Sequence, residues 1–312
     1  MSTTAKVTII GGSGGVGSAL AYTLLTAAEP YDIILLGQRS QTVECHLMDL
    51  EGVAPFGAST VRSGGLDDLA DSNVIVITAS IPFLPSASRA DFLSGNIEVL
   101  RPYFRALAEL PSDWDGYIMV VTNPVDPLST WLSHWARIDR HRILGYSWND
   151  SLRLRVAVAR VLGVNAARVV GWVIGEHGDT CVPLFDNISV DGNPVQLSSE
   201  QQHAVVLELQ SWYRRWTALR VSRTTAWTTA SGVAAMIRGL ARSTTSHWCA
   251  AVRLDGEYDI DGVAVGMPIS INADRVPRIR SLELAPPEIE ALHRSADLVR
   301  HRADQCGEVL VA

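Results

Sequence analysis

The sequence predicts an α/β protein: a doubly wound parallel sheet, followed by a second unit of α+β character. Three observations predict it. Short, nearly all-apolar runs recur through the first half, as strands buried on both faces do. Stretches with helical spacing separate them, and repeated βα units imply a parallel sheet with crossover helices. The second half changes to long helical patterns with a late cluster of strand-like runs.

Taken in order, residues 6–10 form the first strand, and residues 17–28 a helix stopped by Glu29-Pro30. Buried strands follow at 32–36, 74–79 and 117–122, with a helix over 91–109. A boundary near Gly145 gives two domains, 1–145 and 146–312, consistent with 312 residues at about 150 per domain. Beyond it, helices are expected at 151–162, 198–219, 226–241 and 287–305. An apolar strand covers 169–174, and later strand-like runs lie at 250–254, 263–271 and 278–282.

Composition narrows the function classes. Apolar residues make up 47% and charged residues 19%, which fits a compact core and argues against disorder. The net charge of −7, without a basic run, argues against nucleic acid as a partner. Lys6 is the sole lysine, so Schiff-base chemistry has no other candidate. Cys45, Cys181, Cys249 and Cys306 are isolated, which argues against a zinc site or redox pair and for reduced thiols in the cytoplasm. The first apolar run leads straight into glycines, unlike a signal peptide, and no apolar stretch reaches the roughly 18 residues of a membrane span.

After the first strand comes Gly11-Gly12-Ser13-Gly14-Gly15-Val16-Gly17. Gly12, Gly14 and Gly17 fit G-x-G-x-x-G, and Gly11, Gly14 and Gly17 a looser spacing. Such glycines let backbone approach a pyrophosphate at a helix N-terminus. With a strand before and a helix after, the segment reads as a Rossmann-type dinucleotide site. The second strand lacks the Asp or Glu that holds the adenosine ribose of NAD, and ends in Gly37-Gln38-Arg39-Ser40. Glycine removes a charge that would repel a 2′-phosphate, and Arg39 and Ser40 can donate to one. The expected cofactor is NADP, with NAD as the alternative.

Three further segments carry the chemistry: Val121-Thr122-Asn123-Pro124-Val125-Asp126-Pro127, Asn149-Asp150-Ser151-Leu152-Arg153, and Gly175-Glu176-His177-Gly178-Asp179. With the glycine loop, in this order, they resemble the lactate/malate dehydrogenase family over nearly the whole chain. That family reduces 2-keto acids to 2-hydroxy acids, which needs a hydride, a proton donor and a grip on a carboxylate. His177, between glycines at a strand end, suits the proton donor. Asp150 and Arg153 share a helix face, a spacing that ordinarily marks a solvated ion pair. The resemblance implies instead that Asp150 orients His177 and that Arg153 grips the substrate carboxylate by two hydrogen bonds.

The resemblance also implies that Arg89, closing the segment from Ile81, polarises the substrate carbonyl from a mobile loop. Asn123 would lie near the carbonyl and the nicotinamide, Thr225 by the substrate, and Ala79 and Ser80 along the cofactor path. A homodimer or homotetramer is implied, with no metal. Phe83 departs from the family pattern, which carries arginine there in malate dehydrogenases and glutamine in lactate dehydrogenases. Phe83 offers neither charge nor hydrogen bond, so a keto acid with an uncharged side chain is expected. Malate/oxaloacetate stays open should Arg220 or Arg223 supply the second cation. The fold-sharing metal-dependent glycosidases need a Cys/His cluster that this sequence lacks. A non-enzymatic dinucleotide sensor would not need His177, Asp150, Arg153 and Arg89 together.

Overall fold

The computed structural model describes residues 4–82, 89–136, 138–221, 225–242 and 246–311. Strands β1 (Ala5–Ile10), β2 (Tyr31–Leu36), β3 (Thr60–Ser63), β4 (Val74–Ile77), β5 (Tyr117–Val120) and β6 (Ile143–Tyr146) pair in parallel. Their spatial order is β3-β2-β1-β4-β5-β6, the doubly wound order that binds dinucleotides where it reverses. Here that point lies between β1 and β4, beyond their carboxyl ends. The four expected strands are present. The residues of β4 and β5 are fully buried, as strands covered on both faces must be.

The sheet does not stop at the boundary near Gly145. Strand β10, which follows later in the chain (Ser246–Asp255), pairs antiparallel with β6, and β11 (Asp261–Ile271) and β12 (Pro277–Ile279) extend it to nine strands among the described residues. A separate antiparallel sheet joins β7 (Val169–Ile174), β8 (Val182–Val190) and β9 (Asn193–Pro194). A bridge between Gly175 and Gly266 ties the end of β7 to β11.

The helices are α1 (Gly15–Leu25), α2 (Ser40–Glu51), α3 (Arg89–Ala108), α4 (Val125–Trp135), α5 (Trp148–Leu162), α6 (Ser199–Ala218), α7 (Ala226–Arg242) and α8 (Pro286–Val311). Helix α1 ends at Leu25, three residues short of expectation, where Thr26 leaves helical geometry at φ −92° and ψ 2°. Helix α6 opens with a capping box between Ser198 and Gln201, and α5 closes on Gly163 at φ +67°. One large apolar cluster lies between the sheet and α1, α2 and α7, where Leu20 and Leu24 meet Val233 and Ile237. Another covers the opposite face, with Ile97 and Phe104 of α3 and Leu128 and Leu132 of α4.

Candidate functional site

The glycine loop sits where strand order reverses. Gly11 and Gly12 donate their N–H groups to the Leu36 carbonyl at 2.8 and 3.0 Å, which holds the loop against the end of β2. Gly11 has φ +88°, and a Cβ there would lie 2.5 Å from the Ala79 nitrogen. A Cβ on Gly17 would lie 2.2 Å from the Gly11 carbonyl oxygen. Side chains are therefore barred at both, and α1 presents its first turn from Gly15, with Gly14 and Gly15 exposed and Val16 half-buried. Four N–H groups of a helix start lack intrahelical partners and, with the helix dipole, favour an anion. This cradle fits a pyrophosphate.

Gly37 lies beside this loop, half-buried, with Gln38, Arg39 and Ser40 exposed at the start of α2. A Cβ on Gly37 would meet Val43 Cγ2 at 2.8 Å and Ser13 Oγ at 3.3 Å. Close packing against α2 thus gives Gly37 a reason of its own, besides the charge a carboxylate would bring. Beyond β4, Ala79 is buried, and its carbonyl accepts from the Thr122 hydroxyl at 2.8 Å, while Ser80 is exposed.

Asn96 links the segments after β4 and β5. Its Oδ1 accepts from the Ile81 N–H at 2.7 Å, and its Nδ2 donates to the Asn123 carbonyl at 2.6 Å. Asn96 is buried on α3, whereas Asn123 itself is exposed and immediately precedes Pro124 and α4. Phe83, Arg223 and the side chain of Arg89 lie outside the described residues. The backbone places Arg89 at the first position of α3.

His177 stands on the turn after β7. Gly175 opens that turn at φ +86°, with Ser295 of α8 where its Cβ would be. The turn is fixed on both sides. The Glu176 N–H donates to Ser295 Oγ at 2.6 Å, and the buried Glu176 carboxylate accepts from Thr180 and pairs with Arg302 of α8. The His177 N–H donates to Asp126 Oδ2 of α4 at 2.7 Å. Helix α5 docks on β7 through Ser151, whose hydroxyl accepts the Val173 N–H at 3.0 Å. That contact sets the neighbouring residue, Asp150, against the histidine.

The resulting geometry joins three predicted residues. His177 Nδ1 lies 2.5 Å from Asp150 Oδ2, and Arg153 Nη1 donates to Asp150 Oδ1 at 3.1 Å. Their side chains are 17%, 15% and 22% exposed, so the cluster is partly shielded from water. Burial would lower the His177 pKa, but the charge of Asp150 and its hydrogen bond outweigh burial and hold it above the ordinary value. Burial likewise opposes ionisation of Asp150, yet His177 and Arg153 keep its pKa below the usual carboxylate value. With Nδ1 committed to Asp150, Nε2 is the atom that can exchange a proton.

Asp126, which the sequence reading did not single out as a site residue, is a second carboxylate beside the same histidine. Burial pushes its carboxyl up to about 7, against the opposing pull of His177. Thr225 is placed by a relay into the first turn of α5. Its carbonyl accepts from Thr229 Oγ1 at 2.8 Å, Thr229 Oγ1 accepts from Asn149 Nδ2 at 2.9 Å, and Asn149 Oδ1 accepts from Tyr146. Thr225 and Arg153 line one cleft. Arg220 is exposed at the end of α6 with φ +52°. Among the described residues, no group of three or more His, Cys, Asp or Glu side chains is placed to hold a metal, and no helix is long and apolar enough to cross a membrane.

The family profile described as lactate/malate dehydrogenase, NAD binding domain, matches residues 5–145, and that of the alpha/beta C-terminal domain matches residues 149–308. Malate dehydrogenase of Halobacterium salinarum is 30% identical over 96% of this chain and 99% of its own. L-2-hydroxycarboxylate dehydrogenase (NAD(P)(+)) of Methanocaldococcus jannaschii is 30% identical over 96% and 98%. Among solved structures, lactate dehydrogenase from Cryptosporidium parvum with lactic acid and β-nicotinamide adenine dinucleotide has a TM-score of 0.87 at 24% identity, covering 98% of this chain and 99% of that one. At that identity the likeness speaks for the fold. With both halves matched by the same family, the chain belongs to the lactate/malate dehydrogenase family of nicotinamide-dependent oxidoreductases.

Proposed function

We propose that the protein interconverts a small 2-keto acid and its 2-hydroxy acid, with a preference for NADP(H) and for a substrate whose side chain is uncharged. The observation that carries the reaction is the contact of His177 Nδ1 with Asp150, which Arg153 shares from the other oxygen. The bound dinucleotide supplies the hydride. His177 holds the proton at Nε2 and delivers it to the carbonyl oxygen, and Asp150 stabilises the imidazolium until then. Arg153 holds the substrate carboxylate, because a guanidinium can bind both oxygens in one plane. Arg89 would add charge beside the developing alkoxide, with Asn123 and Thr225 as neighbouring contacts. The glycine loop from Gly11 to Gly17, with Ala79 and Ser80 beside it, holds the cofactor. Exposed Met48, Phe56 and Trp227 offer apolar surface to the expected homodimer or homotetramer, and sedimentation velocity reads that assembly.

The test is steady-state turnover with NADPH and NADH across 2-keto acids that differ only in side chain. No turnover with any member of the panel would return the protein to the sensor reading.

The pH profile follows from the raised His177 pKa. Reduction of the keto acid needs protonated His177, so its kcat/KM is full at low pH and falls as pH rises through a value above about 6.5. Oxidation of the hydroxy acid needs the neutral ring and rises through the same value. Profiles recorded in both directions check this, and a reduction rate that climbs across that interval contradicts it.

Cofactor choice rests on Gly37 and on Arg39 at the start of α2. A charge-assisted hydrogen bond contributes about 1.5–3 kcal/mol, so NADPH is preferred roughly ten- to a hundredfold in kcat/KM. Arg39→Ala erases that preference while NADH kinetics stay put. This variant is a cleaner probe than Gly37→Asp, which must also displace Val43. A wild type that uses NADH as well as NADPH overturns the assignment.

A further inference from the structure

Arg153 is held from two sides. Besides its bond to Asp150, its guanidinium carbon lies over the Trp212 ring, 4.0 Å from the centroid. Trp212 in turn stacks on Trp216, one turn further along α6, with centroids 5.5 Å apart and planes 13° apart. Helix α6 is braced against α5 one turn earlier, where Glu208 accepts hydrogen bonds from Arg160 of α5 and Arg215 of α6. Of these two bonds only that of Arg160 crosses between the helices, and a single exposed pair adds little stability. Beside Arg153 the surface opens into a cleft whose walls include Leu152, Val156, Leu209, Trp212, Thr225 and Thr228. His177 and Asp150 do not line it. A long side chain at position 153 therefore has room to turn away from the catalytic pair.

We propose that Trp212 is a positioning residue: its ring face keeps the Arg153 guanidinium turned toward Asp150, with N–H groups available for the substrate carboxylate. The two tasks do not compete. The ring attracts the cation through its quadrupole and consumes no N–H donor, whereas a carboxylate binds the N–H groups in the guanidinium plane. The inference rests on the reading of Arg153 as the carboxylate's partner.

The experiment compares Trp212→Leu, Trp212→Phe and Arg153→Leu with wild type, using the keto acid turned over fastest and oxamate as an unreactive analogue. In Trp212→Leu, which keeps apolar bulk but loses the quadrupole, KM and the oxamate Ki rise together about five- to tenfold, and kcat changes by less than twofold. Trp212→Phe, which keeps a ring face, recovers most of the loss. Oxamate also alters the emission of wild type more than that of Trp212→Phe, because Trp212 touches the arginine that binds it. Arg153→Leu separates the two levels of the argument. If it leaves KM and Ki unchanged, the carboxylate reading itself fails. If it raises both while a folded Trp212→Leu matches wild type, or while Trp212→Phe does no better than Trp212→Leu, the positioning role is overturned. The emission comparison decides the matter even where Trp212→Leu does not fold: equal changes in wild type and Trp212→Phe refute the role.

Discussion

Replacing His177 by Asn lowers kcat by at least about a hundredfold, the scale of general acid–base catalysis, while the dinucleotide still binds. Asparagine can still donate toward Asp150 but cannot carry a proton to a substrate oxygen. The backbone contact with Asp126 involves only the N–H of residue 177 and survives the change. So do the Glu176 anchors to Ser295 and Arg302 on α8, which hold the turn from the other side. The cofactor cradle is built by β1, β2 and β4 and shares no side chain with this turn. The loss therefore falls on kcat, with cofactor affinity measured by titration within about twofold of wild type. Asp150 loses its imidazole but keeps Arg153, so a thermal melt should still show a folded protein. Near-normal turnover would remove His177 from the mechanism.

The histidine was legible because its motif is local: two glycines, a preceding apolar strand and a following acid lie within a few residues. Asp150 and Arg153 were legible as a pair for the same reason, being one helical turn apart. Their meeting with His177 was legible only through family resemblance, since it depends on how α5 docks on β7 through Ser151 and Val173. The residues that hold the site escaped because each acts across the chain. Asp126 reaches His177 over 51 residues, Ser295 reaches Glu176 over 119, and Asn96 joins two loops through its amide alone. Helix α4 escaped for a different reason. It carries a polar stripe at helical spacing, Asp126, Ser129, Thr130 and Ser133, but Asn123-Pro124 and Pro127 at its start read as a turn, and the stripe itself is buried rather than solvated. Helix α2 shows only Val43, Leu47 and Leu50 as a buried stripe amid polar residues. The domain boundary near Gly145 follows the change of sequence pattern, yet β10 pairs directly with β6 across it. Pairing between strands a hundred residues apart leaves no local signal.

Phe83→Arg shifts the preference from an apolar 2-keto acid toward oxaloacetate. Phe83 falls in the segment that precedes Arg89 and follows Ile81, which the Asn96 amide anchors at its N–H. Closing an aromatic ring over a second carboxylate would leave that charge desolvated and unpaired, at a cost on the order of several kcal/mol. An apolar side chain instead gains about 0.8 kcal/mol for each CH₂ it buries against the ring. Wild type should therefore favour the apolar substrate by at least about a hundredfold in kcat/KM, and arginine at position 83 should erase that margin by pairing with the distal carboxylate. The rival expectation draws on similarity to malate dehydrogenases, and needs a cation from elsewhere. Arg220, at the exposed end of α6, and Arg223, outside the described residues, are the two named above. Matched kinetics on oxaloacetate and on an apolar keto acid of similar length separate the two. If wild type favours oxaloacetate, Phe83 does not set the substrate. Arg220→Ala and Arg223→Ala would then show which arginine meets the second carboxylate, by the larger rise in KM for oxaloacetate alone.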